Sequence, residues 1–131
     1  MSQPFRYMVI ATLNTRSDRE HYLHWLCNGH IQAVLQWAID GEVIILDDQA
    51  DGRYRVLSSY LFKDRTAYDR YVVEGAPALR AEGIALAKSL GGIQFERSMG
   101  EQGWGSQSGQ HQESMSQESM SQDPMSDDQK N

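Results

Sequence analysis

The sequence predicts a single α+β domain in which strands and helices follow in the order βαββαβ. Three observations carry this. Four short β-rich segments recur at Tyr7–Leu13, Glu42–Leu46, Tyr54–Phe62 and Ile93–Arg97. Amphipathic helical segments fill the two long gaps between them, and turn-forming residues mark most changes of pattern.

Tyr7-Met8-Val9-Ile10-Ala11-Thr12-Leu13 reads as the first strand. Ser17-Asp18-Arg19-Glu20 matches a capping box, in which the hydroxyl and the carboxylate each satisfy an orphan amide of the first helical turn. Tyr22, Leu23 and Leu26 then recur at helical spacing as a buried stripe. Asn28-Gly29 predicts a bend, after which Ile31, Val34, Leu35 and Trp37 continue the helical segment. Glu42–Leu46 is the second strand, and Asp47–Gly52 a polar hairpin loop in which Gly52 supplies the left-handed residue. Tyr54–Phe62 is the third strand. Asp64 caps the next helix, whose stripe is Tyr68, Tyr71 and Val72. Pro77 suits the first turn of a further helical stretch carrying Leu79, Gly83, Leu86 and Leu90 on one face, and Gly91-Gly92 stops it before the last strand.

This order predicts the ferredoxin-like fold: a four-stranded antiparallel sheet, strands 1 and 3 central, with helices on one face. The domain spans residues 1–99, which is chain enough for one hydrophobic core without disulfides. Residues 100–131 are rich in Ser, Gln, Met and acid and repeat Glu113-Ser114-Met115-Ser116-Gln117 as Glu118-Ser119-Met120-Ser121-Gln122. Their period of five suits neither helix nor strand, and so few apolar groups cannot offset ordering entropy, which predicts a disordered acidic tail.

The face opposite the helices should be polar in a monomer. Both sides of the strands are apolar instead: Tyr7, Val9, Ala11 and Leu13 alternate with Met8 and Ile10, Val43 and Ile45 with Ile44 and Leu46, and Tyr54, Val56, Tyr60 and Phe62 with Leu57 and Leu61. The simplest cover is the same face of a second copy, so the sequence predicts a homodimer through the sheet, closing a dimeric α/β barrel.

Of the net charge of −6, the first 100 residues carry only −1 (11 Lys+Arg against 12 Asp+Glu). That disfavours nucleic acid and an anionic membrane surface as partners. The aromatic third strand of a βαββαβ sheet also fits an RNA-recognition domain, but Arg53-Tyr54-Arg55-Val56-Leu57-Ser58 lacks the glycine-aromatic-glycine core of that motif. Tyr54, Val56, Ser58, Tyr60 and Phe62 read as dimer interface or pocket wall. No secretory leader or membrane-length apolar run is read in the sequence, and the one cysteine, Cys27, cannot form an internal disulfide. The expectation is a cytoplasmic protein.

Trp25, His30-Ile31, Val34-Leu35, Tyr60-Leu61-Phe62, Tyr71 and above all Ala76-Pro77-Ala78-Leu79-Arg80-Ala81-Glu82-Gly83 resemble an uncharacterised bacterial family of the dimeric α/β-barrel superfamily, a domain of unknown function. The resemblance covers residues 7 to about 98. It implies the ferredoxin-like dimer and no particular activity; the superfamily includes cofactor-free monooxygenases, muconolactone-isomerase-like proteins and ligand-binding stress proteins, an analogy of fold alone.

His21, His24, Cys27 and His30 invite a metal reading, but steps of three residues spread them over about half the helix circumference, and zinc needs ligands converging on one point. His21 and His24 read as solvent-facing, Cys27 as a small buried hydrophobe. His30 falls on the side of Leu26, over the sheet, as a candidate catalytic base; the bland alternative is an imidazole satisfied by a backbone carbonyl. Arg80 opposes the dipole of its own helix start, so it binds either a ligand carboxylate or an acid such as Glu74. Asp47 and Asp48 read as solvated turn residues. No metal and no cofactor motif is present. Two readings follow. In the first, a small-molecule site with cofactor-free chemistry lies between helices and sheet, using His30, Tyr60 and Arg80 with Trp25 and Trp37 as apolar walls. In the second, the domain is a non-enzymatic dimeric interaction or regulatory module with a filled core.

Overall fold

In the computed structural model, which describes residues 3–48 and 50–105, Phe5–Leu13 forms β1, Asp40–Ile45 β2, Tyr54–Phe62 β3 and Gln94–Glu101 β4. They make one sheet of order β2-β3-β1-β4, every pair antiparallel. Helices α1 (Arg16–Trp25), α2 (Ile31–Val34), α3 (Arg65–Glu74) and α4 (Ala76–Ser89) complete the fold. The domain is therefore ferredoxin-like, as the alternation of the sequence predicts. The tail from residue 106 onward lies outside the described residues.

β1 shows the sheet's two faces plainly: Phe5, Tyr7, Val9, Ala11 and Leu13 are buried beneath the helices and the residues between them half-buried. Register extends the buried rows to β3, pairing Tyr7 with Tyr60, Val9 with Ser58 and Ala11 with Val56. Tyr60 and Ser58 thus face the helices, which makes the aromatic face of β3 core and pocket wall rather than dimer interface. The opposite face carries the row Ile44, Leu57, Ile10, together with Met8 and Leu61, among Arg6, Glu42, Arg55 and Glu96.

Two clusters form the core. Phe5, Tyr7, Tyr60, Phe62, Tyr68, Tyr71, Val34 and Leu79 belong to one, and Ala11, Leu13, Tyr22, Leu26 and Val56 to the other.

Several element ends differ from the sequence reading. The cap of α1 is Thr15, not Ser17: its backbone is extended and its hydroxyl accepts from the Asp18 amide at 3.0 Å. β1 begins two residues earlier than its apolar run, and β4 continues past position 99 to Glu101, because Phe5 pairs with Glu101 and Arg6 with Gly100. The Gln102 amide then donates to the Pro4 carbonyl at 2.8 Å. Asp64 caps α3 through the Ala67 amide as its sequence predicts.

Asp47 and Asp48 are exposed, but Asp48 is no idle turn residue. It accepts from Arg16 at 2.9 Å and Arg19 at 2.8 Å. Both guanidiniums lie over the Tyr54 ring, so the β2–β3 loop is fastened to α1 and Arg19 is buried. Cys27, expected inside, is exposed.

Candidate functional site

Between α1 and α2 the chain makes a wide turn, Leu26–His30, closed by the Ile31 amide donating to the Leu26 carbonyl. Asn28 leaves helical geometry and Gly29 takes φ 137°, a value that favours glycine. The Gln32 side chain spans the turn, accepting from the Gly29 amide at 2.7 Å and donating to the Cys27 carbonyl at 3.0 Å. This bulge, where the sequence shows only a bend, keeps His30 turned toward the sheet. Its ring stacks on Trp25 with centroids 4.2 Å apart.

Beneath them is a cavity of about 40 Å³, room for roughly three water molecules. It lies at the seam between the two core clusters. The Tyr7–Tyr60 row bounds it on one side and Tyr22 and Leu26 on the other, while the smaller Val9–Ser58 row and Gly83 of α4 line it between. Burial grades its lining. Tyr7, Tyr22, Ser58 and Tyr60 are buried, Trp25, His30 and Arg80 are half-buried, and Ile84 and Arg97 are exposed at the mouth.

Its polar groups have few partners. Nδ1 of His30 and Nε of Arg80 are buried without a hydrogen bond among the described residues. Burial pushes the His30 imidazolium down from 6.5 to about 4, so the ring is neutral at pH 7. Burial pushes the Tyr22 phenol up to about 12 and the Tyr60 and Tyr71 phenols up as well, all against weaker opposing effects. The Ser58 hydroxyl interacts with both Tyr22 and Tyr60. Nε of Arg97 donates to the Tyr7 hydroxyl at 3.0 Å, and its guanidinium sits 5.3 Å above the Phe95 ring.

Of the residues singled out in the sequence, His30, Tyr60, Arg80 and Trp25 line this one cavity. Trp37 does not. It packs edge-on against Tyr71 at 5.9 Å and over Gly75, because α2 is a single turn and Trp37 lies beyond it, on the far side of the first core cluster. Glu74, the acid considered for Arg80, pairs with Arg70 at 3.5 Å instead. His21 and His24 are exposed, and no group of metal ligands forms among the described residues. Tyr7, Tyr22, Tyr71 and Arg97 complete the site unannounced: the tyrosines sit at core-facing positions and read as stripe residues, and Arg97 closes a strand with no motif around it.

The structure is thus a ferredoxin-like domain with a cavity between helices and sheet. Solved structures share the fold. One is a dimeric ferredoxin-like protein from an uncultured marine organism, at TM-score 0.67 and 11% identity over 80% of this chain and 100% of that one. A second is a Bacillus cereus protein attributed to the antibiotic-biosynthesis monooxygenases, at 0.57 and 12% over 82% and 100%. A third is a variant of SnoaB, a cofactor-independent oxygenase from Streptomyces nogalater, at 0.55 and 12% over 79% and 97%. Identities this low show the shared fold and nothing finer. No family model and no curated protein matches the sequence.

Proposed function

We propose that the protein is a homodimeric small-molecule-binding domain whose ligand enters the cavity under His30, where chemistry without a cofactor is available. One observation carries the reading: His30, Tyr60 and Arg80, drawn from three elements, line a single cavity, where Nδ1 of His30 and Nε of Arg80 are buried without a hydrogen bond among the described residues. A filled structural core would show His30 bonded to a carbonyl and Arg80 paired with an acid. His30 and Arg80 give orientation and charge, the phenols supply hydrogen bonds, and Trp25 offers a planar wall. A base of pKa about 4 takes a ligand proton only as negative charge arriving beside it raises that value.

The homodimer rests on the apolar row Ile44, Leu57, Ile10 of the open sheet face and on the dimeric state of the first structural relative. The kinship with the bacterial domain of unknown function and the cytoplasmic location belong to this proposal too. No described helix is long and apolar enough to cross a membrane.

The test is tryptophan fluorescence with a panel of phenol, benzamide, benzoate and salicylate. Saturable quenching that disappears in Trp25→Phe and persists in Trp37→Phe supports the site. A panel that leaves Trp25 emission unmoved throughout overturns it in favour of the interaction module.

A further inference from the structure

Arg16 and Arg19 share Asp48, Arg55 holds Asp51 and Arg70 holds Glu74. Arg80 and Arg97 make no ion pair among the described residues, and both line the same cavity, whose lining contains no aspartate or glutamate. A guanidinium stays charged at any physiological pH. Drawing Arg80 half into the protein without a counter-ion is costly, and with Arg97 exposed at the same mouth the pair asks for an anion from outside.

The Tyr7 hydroxyl tells where the anion would sit. Tyr7 is 3% exposed. Its oxygen accepts from Nε of Arg97 at 3.0 Å and also interacts with Arg80. An oxygen that accepts from a guanidinium keeps its own proton for a further acceptor, and a ligand in the cavity that Tyr7 lines would supply one. Tyr7 is then a hydrogen-bond donor beside the free Nε of Arg80.

We infer that the ligand is a small organic oxyanion, a carboxylate or phenolate, bound between Arg80 and the Tyr7 hydroxyl, with Arg97 positioning Tyr7 from the mouth. The enclosed space suits the oxyanion itself, and the ligand's apolar body lies outward against Trp25, Phe95 and Ile84. Tyr22, Ser58 and Tyr60 close the floor and offer no carboxylate competitor. This inference rests on the ligand-site reading and adds the charge of the ligand, two residues that the reading does not use, and their division of labour.

The experiment compares benzoate with benzamide, which have nearly the same shape and differ in charge, by calorimetry and Trp25 fluorescence on the full chain at pH 7.5. Phenolate binding is read separately with 4-nitrophenol, whose ionised form absorbs at longer wavelength. Benzoate at least tenfold tighter than benzamide is expected. Arg80→Gln should bring the ratio near one. Tyr7→Phe and Arg97→Gln should each lower it several-fold, Arg97→Lys should restore part of it, and the double variant should match Tyr7→Phe alone. Equal binding of acid and amide overturns the oxyanion while leaving the ligand site standing. Strictly additive losses in the double variant overturn the positioning of Tyr7 by Arg97. Silence of Trp25 toward both compounds overturns the site and this inference together.

Discussion

Trp25 and His30 stack with their ring planes 28° apart and centroids 4.2 Å apart, one at the end of α1 and the other at the end of the wide turn that follows. The indole removes water from one face of the imidazole, and burial does the rest, taking its pKa from 6.5 to about 4. The folded protein therefore disfavours the protonated ring.

Stability should fall as the pH drops from 6.5 toward 4. In that window the unfolded chain binds a proton at His30 that the folded chain refuses, so acid favours unfolding, and the effect levels off once both states are protonated. Because the ring is only partly enclosed, screening trims the loss to about 1–2 kcal/mol. Urea denaturation of wild type and His30→Phe at pH 4.0, 5.0, 6.0 and 7.0 checks this; the variant should lose that part of the slope.

A methyl group at Gly75 would lie 2.7 Å from a ring carbon of Trp37. Gly75→Ala should therefore cost about 1–3 kcal/mol by overpacking. In Trp37→Leu the same change should cost far less, and the coupling in a double-mutant cycle reads the contact directly. Ligand affinity should not follow either substitution, since Trp37 lies outside the cavity.

Asp48→Ala should destabilise the domain by about 1–2 kcal/mol, because it strands the buried Arg19 guanidinium, whereas Arg16→Ala, which removes the exposed partner, should cost about 0.5 kcal/mol or less. Chemical denaturation separates the two. Equal losses would show that Arg19 gains nothing from Asp48.

Leu57 sits mid-row between Ile10 and Ile44 on the uncovered sheet face. Leu57→Glu should convert a micromolar dimer to monomer in sedimentation velocity while the far-ultraviolet circular dichroism stays unchanged. A wild-type protein that sediments as monomer would remove the dimer from the proposal.

The fold was legible wherever hydrophobic period and turn chemistry agreed. β3 runs over the residues its alternation marks, and Asp64 caps α3 where its side chain precedes the helical stripe. The ends were less legible where tertiary pairing overrides local preference. Ser98-Met99-Gly100-Glu101 has no strand signal of its own and is extended only because β1 lies beside it. In the site, His30 stood out as a titratable ring on the side of the helix that faces the sheet, and Arg80 as a cation at the positive end of its own helix. Tyr7 and Tyr22 did not, since a core-facing tyrosine looks like any other large apolar residue until its hydroxyl is placed. The tyrosines that flank Ser58 on the buried face were the available sign: a core has little use for so many hydroxyls unless something meets them.

The turn at Leu26–His30 holds one residue more than a regular helical turn, and each residue of α-helix carries its successor about 100° around the axis. That excess is a phase setting. Removing Asn28 or Gly29 would let α1 run smoothly into α2 and would swing the imidazole off the sheet, while the strands, the tyrosine floor and both arginines stayed in place. In this chain the length of one turn therefore decides whether the imidazole lies over the cavity or away from it.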